Sequence, residues 1–117
     1  MLVFDLNCDM GEGIGNDEAL MPWISSANIA CGFHAGSGSL ISETVELAQK
    51  HHVKIGAHPS FRDKENFGRK EFFLSSDKIY ALVMEQLIRI RKALSGHVNR
   101  IRLLRNIARF LRRLQIF

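Results

Sequence analysis

At 117 residues, 46% hydrophobic and 24% charged, the chain is long enough for one domain with a real core and too apolar to be disordered. No apolar run approaches the roughly 18 residues of a membrane helix, and Asp5 and Asp9 fall where a secretory leader would be apolar. The net charge of +4 hides a split: residues 1–87 carry seven Lys/Arg against twelve Asp/Glu, whereas residues 88–117 carry nine Lys/Arg and no acid, so the basicity belongs to the tail.

Leu2 to Asn7 alternates, with Val3, Asp5 and Asn7 on one side and Leu2, Phe4 and Leu6 on the other. The pattern predicts a first strand whose apolar side meets helices and whose polar side opens on a cavity. A loop, CDMGEGIGND, follows, with Asp9 and Glu12 on it. Its glycines resemble a phosphate loop only superficially, because no Lys-Ser/Thr follows. Asp17 to Trp23 reads as a short helix or turn ended near Pro22, and Ser25 to Ala30 as a second strand that runs into Gly32-Phe33-His34. Ser37 or Ser39 then caps a helix to about His51, with Leu40, Ile41, Thr44, Val45, Leu47 and Ala48 on its apolar face. Val53 to Ala57 is a third strand ending at His58-Pro59, and residues 61–70 form a polar loop. Ser75 or Ser76 caps a last helix to about Leu94, with a stripe of Ile79, Leu82, Val83, Leu87, Ile90 and Leu94.

This order predicts an α/β domain with a mainly parallel sheet, whose ligand site lies at the carboxyl ends of the strands. Three strand ends then bring Asp5, Asn7, Asp9, His34 and His58 together as the catalytic candidates. A carboxylate beside an imidazole orients it and raises its basicity, which suits proton transfer. Asp9, His34 and His58 are equally a candidate set for a divalent metal. Arg69 could hold a substrate carboxylate through its planar fork or pair with an acid such as Asp63. Glu12 and Asn28 are further candidate substrate contacts, the first competing with a solvated loop charge and the second with a turn cap. Cys8 and Cys31 read as reduced, partly buried fillers in a cytoplasmic protein.

Residues 95–117 read as a basic amphipathic helical tail beyond a domain spanning 1–94, with Arg102, Arg105, Arg109 and Arg112 along one face. Packing on the domain, a loose appendage, or a membrane-surface or nucleic-acid contact all fit such a helix, and no aromatic interleaving favours nucleic acid.

Four stretches, DLNCDMGEGIGND at 5–17, ISSANIACGFHAG at 24–36, IGAHPSFRD at 55–63 and NFGRKEF at 66–72, resemble the LamB/YcsF family, the 5-oxoprolinase A subunit. The resemblance implies an irregular β/α barrel related to polysaccharide-deacetylase-like enzymes, incomplete here. It also implies ATP-dependent opening of 5-oxoproline to glutamate, with ATP bound by partner subunits. Asp5, Asn7, Asp9, Glu12, Asn28, His34, His58 and Arg69 fall on the motif positions. In the implied chemistry Asp9 or His34 activates water, His58 handles a proton and Arg69 holds the substrate carboxylate. Two departures stand out: Ser37-Gly38 replaces the family's usual Asp-Pro, and a later motif resembling VKPHGALYN is missing. The expectation is a truncated or frame-shifted member, with a natural short form as runner-up. Such a fragment would pair with another copy, bind another chain or fold poorly. The competing readings are a metal-dependent deacetylase-like hydrolase and a non-catalytic interaction remnant.

Overall fold

A computed structural model describes residues 3–95. Three strands, β1 (Asn7–Met10), β2 (Ser26–Ala30) and β3 (Lys54–His58), form a parallel sheet in the order β1-β2-β3. A short helix α1 (Asp17–Leu20) and a 3-10 turn at Met21–Trp23 join β1 to β2. Helix α2 (Gly38–Lys50) joins β2 to β3, and α3 (Ser76–Leu94) follows the loop after β3. The parallel α/β arrangement expected from the order of elements is therefore present. The described strands form an open sheet, and the basic tail helix expected for 95–117 lies outside the described residues apart from Ser95. No helix among the described residues is long and apolar enough to cross a membrane.

Side chains that alternate along the strands sort into two faces. Register pairs Met10 with Ile29 and Ile29 with Ala57, so these three share one face. That face packs under α2 and α3 in a core with Ile41, Val45, Val83, Leu87 and Ile90. The helices supply the stripe their periodicity predicts, and their starts are capped as expected. Ser37 Oγ accepts the Leu40 N–H at 3.2 Å, and Ser75 Oγ accepts the Lys78 N–H at 3.4 Å. Each such cap stabilises its helix by about 1 kcal/mol.

The first strand differs from its prediction. It starts at Asn7 and runs through Met10, where Leu2–Asn7 was expected, and Phe4 and Leu6 are 80% and 58% exposed instead of meeting helices. The reason lies in the partner strand. The Leu6 carbonyl accepts from the Ser25 and Ser26 N–H groups, and the ladder goes no further back because β2 begins there. The Ser25 hydroxyl takes the Leu6 N–H at 3.2 Å in place of a further ladder bond. At the other end Met10, which the motif pattern places in a loop, is 1% exposed and belongs to the core.

Two tertiary ties set the strand ends. Asp17 Oδ2 accepts the Gly11 N–H at 2.8 Å and lies 3.5 Å from Thr44 Oγ1, joining the β1 loop to α2. Gly36, at φ +77°, sits where a Cβ would collide with the Gly11 carbonyl, so the β2–α2 loop can close on the β1 loop only with glycine there. The third strand end is held by a residue the apolar stripe concealed. Gln86, fully buried on α3, accepts the Ser60 N–H and donates to the Ser60 carbonyl, both at 2.9 Å.

Candidate functional site

The face of the sheet opposite the core is polar and open. Asp9 pairs in register with Asn28, and Asn28 with Gly56, so the parity that buries Met10, Ile29 and Ala57 aims Asp9, Asn28 and His58 the other way. A connected row of hydrogen bonds crosses this face. The Ser26 hydroxyl donates to Asp5 Oδ1 at 2.8 Å, and Asn7 Nδ2 donates to Ser26 Oγ at 2.8 Å. Asn28 Nδ2 donates to Asn7 Oδ1 at 2.7 Å and to Asp9 Oδ1 at 3.3 Å. Asp9 Oδ1 in turn lies 3.4 Å from His58 Nδ1. The row therefore ends with the Asp9 carboxylate beside the His58 imidazole.

His34 stands on the loop after β2, with its ring centroid 4.8 Å from that of His58. It is 2% exposed, and neither ring nitrogen has a hydrogen-bond partner. A buried polar group left without a partner costs about 1–3 kcal/mol, so the arrangement is maintained against a penalty. Burial, then the neighbouring His58, pushes the His34 pKa down to about 4, with Asp9 opposing. Glu12 Oε1 is 3.9 Å from His34 Nε2. That contact is an ion pair only if the ring is charged, and the depressed pKa makes the ring neutral at physiological pH. Glu12 is itself pushed up, by burial first and then by Asp9 and Asp17, while His58 and Arg69 hold it back.

The polar loop closes the site from the third side. Phe67, in the left-handed region at φ 59°, presents its ring edge-on to His34 at 5.3 Å. Gly68 follows at φ +73°, where a Cβ would press on His34 Cβ and on the Ser60 hydroxyl. Asp63 holds this turn: its carboxylate accepts the Asn66 and Lys70 N–H groups and the Asn66 side chain, and its carbonyl accepts the Gly68 N–H at 2.7 Å. Burial alone would raise the Asp63 pKa, but these hydrogen bonds outweigh it and the pKa is lowered. The alternative partner expected for Arg69 was Asp63, and Asp63 is engaged with backbone and amide donors instead. The Arg69 guanidinium lies 5.7 Å from the Phe67 ring and acts electrostatically on Glu12.

Asp9, Asn28, His34, His58, Glu12 and Arg69 thus gather at one end of the sheet. Asp5 does not reach that end. It shares the face with Asp9 but lies four residues earlier, about 13 Å along an extended chain, and its partner is Ser26. Asn7 lies between them as a link in the row. The group whose ligand atoms converge is Glu12, His34 and His58, all within 4.8 Å of one another. Asp9, expected in that set, is not among them, and its carboxylate lies 3.4 Å from His58 Nδ1.

Sequence reasoning missed Ser26, Phe67 and Gln86, as well as a cluster under the His34 loop. There the Arg62 and Arg89 guanidinium groups lie 3.8 and 4.8 Å from the Phe33 ring and both bond Glu85. A polar residue at stripe spacing was the available signal for Gln86; Phe67 carried none. The cysteines behave as fillers: burial pushes the Cys31 thiol up to about 12 and raises Cys8 as well, so neither is a ready nucleophile. Two clefts of about 540 and 360 Å³ open beside α2, and neither is lined by Asp9 or a histidine.

Residues 4–108 match the LamB/YcsF family. The 5-oxoprolinase A subunit of Bacillus cytotoxicus is 52% identical over 92 residues, covering 74% of this chain and 36% of that protein. Its counterpart from Staphylococcus carnosus is 53% identical over 88 residues, covering 71% and 35%. The crystal structure of a lactam utilization protein from Thermus thermophilus aligns with a TM-score of 0.77 at 44% identity, over 81% of this chain and 40% of the other. The chain spans about a third of the length of the curated relatives it matches. With its motif stretches gathered at the carboxyl edge of a parallel sheet, and with relatives of this identity, the chain belongs to the LamB/YcsF family.

Proposed function

We propose that this chain carries the strand-end site of a lactam-opening hydrolase, the A subunit of an ATP-dependent 5-oxoprolinase that converts 5-oxo-L-proline to L-glutamate. The observation that carries this reading is the junction of the Asp9–His58 pair with the neutral, buried His34. The names of the relatives, lactam utilization protein and 5-oxoprolinase A subunit, supply the substrate class. In full-length members the sheet would continue into an irregular β/α barrel, whose interior is the polar face seen here.

A cyclic amide is resonance-stabilised, so its carbonyl needs activation. Phosphorylation of the amide oxygen by ATP on a partner subunit provides it, since no phosphate loop with a following Lys-Ser/Thr occurs in this sequence. Water then adds to the activated ring carbon while His58, oriented by Asp9, takes its proton. The C–N bond breaks as the ring nitrogen receives a proton from His58, and hydrolysis of the resulting acyl phosphate releases glutamate and phosphate. Arg69 pairs with the substrate carboxylate.

The test is turnover of 5-oxoproline by this chain assembled with the other subunits. Asp9→Asn is expected to lower it by about 10²–10⁴-fold, the usual contribution of general acid–base catalysis. Full activity in His58→Ala would sink the assignment. The open polar face also suits a non-catalytic remnant, which predicts no turnover until the rest of a relative's length is supplied.

A further inference from the structure

We propose that Glu12, His34 and His58 bind a divalent first-row transition ion of the zinc class, with Asp9 as the outer partner that orients His58. The inference rests on the geometry of these side chains and not on the lactam reading, in which a bound ion would replace His58 as the group that activates water.

Three features carry it. His34 is 2% exposed with both ring nitrogens unpartnered, so a lone pair is held in a dry position with nothing to receive it. The ligand atoms of Glu12 and His58 come within 4.8 Å of it and of each other, and Glu12 Oε1 is 3.9 Å from His34 Nε2. Ligand atoms around a tetrahedral ion with bonds of about 2.0–2.2 Å stand roughly 3.4 Å apart, a distance small side-chain rotations can reach. Finally, Asp9 Oδ1 lies 3.4 Å from His58 Nδ1. A carboxylate behind a ligating imidazole is the usual way a metal-binding histidine is held in its tautomer and orientation.

The donor set fits the ion. Two imidazoles and one carboxylate favour borderline ions such as Zn²⁺ or Co²⁺ over the hard, all-oxygen ions, and three protein ligands leave a position open. A bound ion of this class would supply Lewis acidity to a substrate oxygen or water in that position. Within this chain, the role of Glu12 is then to hold charge opposite the two rings, and that of Asp9 is to aim one of them.

The experiment uses the purified 117-residue chain, stripped with chelator and dialysed against Zn²⁺, with metal measured by elemental analysis. Co²⁺ absorption reports the geometry, and no substrate is present. Stoichiometric Zn²⁺ and an intense tetrahedral Co²⁺ spectrum are expected. Glu12→Gln and His58→Gln lie on a loop and at a strand end, where folding tolerates change, and each should abolish both signals. Asp9→Asn should retain the stoichiometry and weaken affinity by about 10–100-fold. His51→Ala and His52→Ala, at the far end of α2, should change nothing. Absence of stoichiometric Zn²⁺ in the unmodified chain overturns the proposal. So does binding that survives both Glu12→Gln and His58→Gln. Metal binding without lactam turnover would leave this site standing and remove only the proposed reaction.

Discussion

On one face of the sheet Met10, Ala27, Ile29 and Ala57 lie under α2 and α3, none more than 8% exposed. On the other face of the same strands Asp9 and Asn28 line up in register and lead to His58, and the Asp9 side chain is 48% exposed. Adjacent residues thus serve opposite ends: Met10 anchors the core while Asp9 aims an imidazole. Burial on the first face holds the strands in place, and the hydrogen-bonded row on the second face can then be built from exposed groups that contribute little to stability. The strand-end loops lie between these extremes, with His34 buried like a core residue but bonded like neither.

The largest effect should come from the core. Ile29→Ala is expected to cost about 2–5 kcal/mol, read from the shift in urea midpoint. A loss below about 1 kcal/mol would mean that this face is not the stabilising one. Next comes His34, whose neutral ring is favoured by folding. The unfolded chain therefore binds the proton more readily, and stability should fall as pH drops from the ordinary 6.5 towards about 4, then stay level above that window. The loss is on the order of 3 kcal/mol. In chelator-treated protein His34→Gln should remove this part of the pH slope, and an unchanged slope would contradict the dry placement of the ring. Gln86→Leu leaves the Ser60 N–H and carbonyl without their partner, an expected loss of about 1–3 kcal/mol by thermal denaturation. The smallest effect belongs to the polar face: Asn7→Ala should change stability by no more than about 0.5 kcal/mol. If Asn7→Ala proved as costly as Ile29→Ala, the division of labour between the faces would fail.

Much of this was legible beforehand because it depends on local rules. Serine caps at 37 and 75, the apolar stripes of the two long helices and the parallel order of strands all follow from spacing and from side-chain preference at helix ends. The strand-end histidines were legible too, since a parallel sheet brings the ends of its strands together. The first strand was harder: LVFDLN alternates well, but a strand exists only where a neighbour supplies its ladder, and β2 begins at Ser26. The neutrality of His34 was hidden in the same way. It comes from burial and from His58, a residue 24 positions away.

The sequence by itself determined that serines start the two long helices, which side of the first strand is apolar, and that histidines follow two of the strands. Those properties are carried by side chains within a few residues of one another. Only the tertiary structure decided that Glu12 comes within 3.9 Å of His34, that Asp9 lies beside His58, and that Phe67 and Gly68 close over the ring. Those outcomes depend on how three loops, joined to different strands, pack against one another. No local pattern encodes a distance between them.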